Sequence, residues 1–158
     1  MSSTAIRNRL ESWVSFLRAH ASITRQLNAD LLNAHGLTLS DYEVLLRLSR
    51  AESHMMRRVD LAESVLLTAS GITRLLDGLE RSGFVEKASC SSDARVSYAK
   101  LTGAGRRKLD EAAETHLVGI EELFTGRFEV SELETLAGLL SRLPLTADDC
   151  SSDSCSPQ

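Results

Sequence analysis

The chain reads as one mainly α-helical domain with a single small β-hairpin (α+β), and three observations predict that class. Apolar residues recur at i, i+3, i+4, i+7 spacing in several separate stretches, the signature of amphipathic helices. Strand-like composition is concentrated in one region, between Phe84 and Leu101, where two short runs flank a polar tip. Length and composition complete the argument: 158 residues that are 42% hydrophobic can build one adequate core but not two.

The elements follow in order. Ile6, Leu10, Trp13, Val14, Leu17, Ala21, Leu27 and Leu31 trace a long first helix that ends near Gly36. Ser40 with Glu43 has the spacing of a capping box and opens a second helix through Val44, Leu45 and Leu48. His54 to Arg58 has extended character, the expected short strand beside the hairpin, and Val59 to Leu66 makes a brief third helix. Leu67 turns the chain into a fourth helix, capped by Thr68 and stopped by Gly83 at the C′ position. Phe84–Lys87 and Val96–Leu101 are the two hairpin strands, around the tip Cys90-Ser91-Ser92-Asp93-Ala94-Arg95. Thr102 caps a helix through Leu109, Ala112, Leu117, Ile120 and Phe124. Ser131 with Glu134 starts a last helix through Leu136, Ala137 and Leu140, which Pro144 ends. The tail from 146 to 158 is acidic and rich in small residues, a composition expected to be disordered.

The stretch from Thr68 to Thr102 carries the most function. The helix buries Ile72, Leu75, Leu76 and Leu79, and its other face presents Ser70, Gly71, Thr73 and Arg74 near the N-terminus. Small and hydrogen-bonding groups there let a helix end approach base edges, with Arg74 able to donate to a guanine edge or a phosphate. Thr68 sits where the helix dipole and free N–H groups favour a phosphate. Lys87 and Arg58 are further candidates for the DNA backbone. Arg95, near the tip of a hairpin thin enough for a minor groove, is the expected groove contact. A helix of this size followed at once by such a hairpin is the winged helix-turn-helix plan.

The same residues carry a family resemblance. Leu61-Ala62, Ser70-Gly71-Ile72-Thr73-Arg74-Leu75, Leu79-Glu80, Gly83, Val85, Asp93-x-Arg95 and Leu101-Thr102-x-x-Gly105 stand in an order and spacing that resemble the MarR (multiple antibiotic resistance regulator) family of transcriptional regulators. The resemblance extends over roughly residues 5–143. Two positions depart from it, both in the wing: Ala94 stands where many members have a second basic residue, and Val96 where many have Gly. The resemblance implies a homodimer in which residues of about 37–101 form the DNA-binding lobe and about 5–36 with 102–143 form a dimerisation lobe, within one domain spanning 1–145. It implies that Asp93 orients Arg95 through a carboxylate–guanidinium contact. It also implies a small aromatic anion bound in the seam between the lobes, for which Trp13, Arg18, His20, Tyr42 and His116 are the candidate lining residues.

Charge and cysteine usage fit this reading. The net charge of −4 is unevenly spread: residues 1–56 carry +1, residues 57–108 carry +4 and residues 109–158 carry −9. The basic excess falls on the expected reading segment, and the local field decides phosphate attraction. Cys90, Cys150 and Cys155 make no metal pattern with the scattered His20, His35, His54 and His116, so neither metal nor cofactor is expected. No Gly-rich phosphate loop, nucleophile elbow or metalloprotease motif points to an enzyme. No run of 18 apolar residues and no secretory h-region occurs, so a cytoplasmic protein with no membrane partner is expected. The alternative to a ligand-controlled repressor is a DNA-binding regulator with no small-molecule ligand, controlled by a protein partner or by thiol oxidation, for which Cys90 is the candidate.

Overall fold

The computed structural model describes the backbone of residues 3–65, 67–90 and 93–143, with side chains from 10–65, 67–89 and 96–143. Six helices and three strands follow one another as α1 (Ser3–His35), α2 (Leu39–Arg50), β1 (Met55–Arg57), α3 (Arg58–Ser64), α4 (Ala69–Arg81), β2 (Val85–Cys90), β3 (Asp93–Leu101), α5 (Gly103–Leu123) and α6 (Val130–Leu140), with short 3₁₀ turns at Glu52–His54 and Thr125–Arg127. The strands form one antiparallel sheet in the order β1-β3-β2. Met56 pairs with Ala99, and Val85 pairs with Leu101. Among the described residues no helix is long and apolar enough to cross a membrane.

The core joins α2, α3, α4, the sheet and the first half of α5. Leu45, Leu48, Leu61 and Leu76 are fully buried there, beside Val44 and Ala112. Each of these elements is too short to be stable alone, so its apolar stripe must be buried against the others.

Both expected capping boxes lie two residues earlier than their sequence pattern suggests. In α2 the cap is Thr38, not Ser40: its hydroxyl accepts from the Asp41 N–H at 3.1 Å, and the Asp41 carboxylate accepts from the Thr38 N–H at 2.9 Å. Asp41 is near enough to close the box on Thr38, which leaves Ser40 inside the first turn. At α6 the Glu129 N–H donates to the Glu132 carboxylate at 2.9 Å, so the helix begins before Ser131. The third helix also starts and stops early, at Arg58 and Ser64, because Val65 already leaves the helical region. α6 ends at Leu140, and Pro144 and the tail lie outside the described residues.

The hairpin is longer than its apolar pattern indicates. Pairing continues past Lys87 through Ala88↔Tyr98 and Ser89↔Ser97, and an irregularity follows before Cys90↔Asp93. The outer rungs face no core, so the backbone ladder rather than hydrophobic alternation holds them.

One junction locks α5 to the rest. Thr102 caps α5 through the Gly105 N–H at 3.0 Å, and its hydroxyl also donates to the Gly83 carbonyl at 2.6 Å. The Thr102 N–H donates to the Phe84 carbonyl at 3.1 Å. Gly105 lies against that carbonyl so closely that a Cβ there would come within 2.0 Å of the oxygen. Gly83 itself has φ +74°, the left-handed value that ends α4 and reverses the chain.

Gly105→Ala is therefore expected to destabilise the fold by at least about 1–3 kcal/mol, the usual cost of overpacking. Gly78→Ala provides the contrast: a Cβ in the middle of α4 would meet nothing within 4 Å, and the higher helix propensity of alanine should stabilise by up to about 1 kcal/mol. Thermal melts of the two variants should move in opposite directions from the wild type.

Candidate nucleic-acid interface

Helix α4 owes its start to Thr68, whose hydroxyl accepts from the Gly71 N–H at 3.1 Å. The Ser70 hydroxyl lies 3.2 Å from that of Thr68, and the Thr73 hydroxyl donates back to the Ala69 carbonyl at 2.8 Å. Ile72, Leu76 and Leu79 are buried, while Ser70, Thr73, Arg74, Asp77 and Arg81 are exposed on the opposite side. Ile72, Leu76 and Leu79 anchor the helix so that this polar face points away from the core. A Cβ at Gly71 would make a tight contact, 3.2 Å from the capping oxygen of Thr68.

Arg74 makes no hydrogen bond or ion pair among the described residues. It lines an open groove along α4 together with Asp77, Glu80 and Arg81. Arg81 is tethered to its own helix, its Nε donating to the Asp77 carbonyl at 3.1 Å. Of the reading-helix residues expected from sequence, Thr68, Ser70, Gly71, Thr73 and Arg74 are thus gathered at one end of one exposed surface.

Two further cations are placed differently from expectation. Lys87 Nζ lies 3.3 Å from Glu80 Oε2, and Arg58 faces Glu80 at 3.9 Å and Asp77 at 4.0 Å. Both are engaged with carboxylates of α4 instead of standing free for phosphate. Sequence reasoning missed Asp77 and, although Glu80 stood in the family motif, missed its pairing with Lys87 and Arg58. The available signal was their position three and six residues after Arg74, with Asp77 on the exposed face and Glu80 at the flank of the apolar stripe. In the wing, β3 carries Asp93 and Arg95 on its backbone, but the side chains of Cys90, Asp93 and Arg95 lie outside the described residues.

The candidate ligand residues fall into two groups. Tyr42 of α2 and His116 of α5 pack ring on ring, with centroids 4.4 Å apart and planes tilted by 42°. Tyr42 is buried, and burial pushes its hydroxyl pKa up, against a smaller opposing pull from Arg50. Burial also lowers the His116 pKa, and its Nδ1 is buried without a hydrogen-bond partner. Trp13 and His20 sit instead on the exposed half of α1, each stacked against Phe16 at 6.2 and 6.4 Å. Arg18 is exposed on the same half of the helix. Of the five residues expected to line the seam, Tyr42 and His116 are in ring contact within one chain.

Comparison with known proteins places this geometry. The family model described as "MarR family" matches residues 37–97, which run from the start of α2 to the wing. The transcriptional regulator PrsX of Escherichia coli is 28% identical over 124 residues, 78% of this chain and 74% of its own length. AbsC, a MarR family transcriptional regulator from Streptomyces coelicolor, superposes with a TM-score of 0.80 at 28% identity, over 90% of this chain and 93% of its own.

Over residues 37–97 the chain matches the MarR family, and it resembles that family's regulators over most of its length.

The likeness extends beyond the matched lobe to the terminal helices, since AbsC is covered nearly end to end. Sco3205 of Streptomyces coelicolor, a MarR family regulator solved in complex with DNA, shares the fold at a TM-score of 0.81 and 23% identity, over 86% of this chain and 85% of its own. In this MarR-family fold α4 is the second helix of the helix-turn-helix and β2–β3 is the wing.

The half-buried imidazole of His116 is expected to make the fold sensitive to acid. Its folded-state pKa lies below the ordinary 6.5, so as pH falls through that value the unfolded chain takes up the proton first and stability is lost. The wild-type melting temperature should drop between neutral pH and about pH 5.5, and His116→Phe should flatten the part of that slope due to this residue. An unchanged slope in the variant would show that His116 is not the sensitive group.

Proposed function

We propose that this chain is a MarR-family transcriptional regulator that binds DNA as a homodimeric repressor of a pseudo-palindromic operator, released by a small aromatic or phenolic anion. The observation that carries the DNA reading is the polar end of α4: a capped, core-anchored helix presenting Ser70, Thr73 and an unengaged Arg74 beside a protruding hairpin. Such a helix enters a major groove, where Arg74 can donate to guanine O6 and N7. The wing then lies over the flanking groove, with Arg95 as its cation.

The dimer reading is supported by surfaces that one chain leaves uncovered. Leu10, Val14, Phe16 and Leu17 of α1 are exposed, and Trp13 is 56% exposed. α6 is the most apolar helix by sequence yet buries none of its residues; Leu139 near its end and Leu143 just past it are exposed. Apolar patches of this extent at both ends of a chain call for a partner surface, and a second copy supplies one by two-fold symmetry. Two copies present two reading helices, and successive major grooves on one face of DNA are about 34 Å apart.

The effector reading is supported by the Tyr42–His116 pair at the α2–α5 junction, where the DNA-binding lobe meets α5. An anion favouring one spacing of the two heads would shift the population only by its differential affinity for that form. Arg18 is the cation proposed to meet that anion in the assembled dimer. Operation within the cytoplasm follows from the same reading.

Footprinting on the DNA upstream of the gene, followed by binding titrations on the protected segment, tests the proposal. Arg74→Ala should cost about 1–3 kcal/mol on that segment and relax base preference. Arg95→Ala should weaken binding across sequences and flatten the salt dependence by about 0.9 in logarithmic slope for the lost phosphate contact. Full-strength binding by both variants would remove α4 and the wing from the interface.

A further inference from the structure

We infer that Glu80 is a specificity-determining residue of the DNA interface, which restrains Lys87 and Arg58 from gripping the phosphates of non-cognate DNA. The inference rests on the reading of α4 as the DNA-contacting helix and asks what its acidic side does there. Glu80 lies on the flank of α4 that faces β2. Its side chain is 19% exposed and holds Lys87, itself 62% exposed, at 3.3 Å. The same carboxylate, with Asp77, faces the Arg58 guanidinium, which is 17% exposed.

Phosphate contacts carry affinity without sequence information, so each free cation on this face strengthens binding to every duplex alike. A lysine already paired with a carboxylate must leave it before it can neutralise a phosphate, and the carboxylate itself repels the DNA backbone. Arg74, six residues nearer the N-terminus of α4, makes no ion pair or hydrogen bond among the described residues and carries no such restraint. The arrangement therefore weakens the indiscriminate part of binding and leaves the discriminating part intact.

The geometry argues against a purely structural lock. Arg58 Nη2 and Glu80 Oε1 are both buried and neither makes a hydrogen bond. The Arg58 contacts, at 3.9 and 4.0 Å, are too long for one. A clamp evolved for rigidity would close those bonds, because buried polar atoms left unsatisfied cost stability. Here the charges face one another with bonding capacity to spare.

The test uses the full-length chain, a random-sequence duplex and a duplex enriched by wild-type protein from a random library. Affinities are read by fluorescence anisotropy across a salt titration, with circular dichroism confirming the fold. Glu80→Gln should bind the random duplex severalfold more tightly at low salt. Its logarithmic salt slope should steepen by about 0.9 for each added phosphate contact, and its preference for the enriched duplex should fall. Unchanged or weaker binding to the random duplex by a folded Glu80→Gln would overturn the inference.

The double variant Glu80→Gln/Lys87→Gln leaves neither member of the pair unmatched and serves even where the single variant does not fold. Its salt slope should exceed that of the wild type by no more than the one contact that Arg58 can add. A shallower slope would show that Lys87 contacts phosphate despite Glu80, and would equally overturn the inference. Failure of the underlying reading looks different: Arg74→Ala would then bind the enriched duplex as tightly as wild type does.

Discussion

The structure depends most on the meeting of Thr102 and Gly105 with the turn at Gly83 and Phe84. There the reading helix ends, the wing begins and the long helix α5 starts, all within a few residues in space. The Thr102 side chain serves two helices at once: it accepts from the Gly105 N–H to cap α5 and donates to the Gly83 carbonyl at the end of α4. Gly105 has no side chain because the Phe84 carbonyl occupies that space. Any rotation of α5 is consequently passed to α4 and β2, since a packed junction shifts as a unit or not at all. A second close approach, Gly119 against Leu27, ties the far half of α5 to α1. α5 thus links the surfaces proposed for dimerisation to those proposed for DNA.

Much of this was legible in the sequence because the helices obey simple periodicity. The cap at Thr68, the stripe through Ile72, Leu76 and Leu79, and the stop at Gly83 are local signals, and the reading helix follows from them. The cap at Thr102 was equally local. What it does for Gly83, nineteen residues earlier, was not. The cap positions of α2 and α6 escaped for a related reason. Thr38 with Asp41 and Ser40 with Glu43 both fit a capping pattern, and only backbone geometry selects the first.

The charged face was less legible than the apolar one. Lys87 and Arg58 looked like free cations in a basic stretch, because their partners on α4 approach them only through the tertiary fold. Trp13 belongs by spacing to the apolar stripe of the first helix, yet it stands exposed beside Phe16. Periodicity identifies an apolar face but does not name what covers it. Tyr42 and His116, seventy-four residues apart in the chain, could be paired only once α2 and α5 were packed together.

The central claim is that two copies of α4 read successive major grooves of one DNA site. Methylation protection at guanine N7 on a bound duplex measures this most directly, because that atom lies on the major-groove edge. The account predicts two protected patches on one face of the duplex, with centres about one helical turn, or 34 Å, apart. A single protected patch, or bound DNA whose major-groove positions all remain reactive, would contradict it.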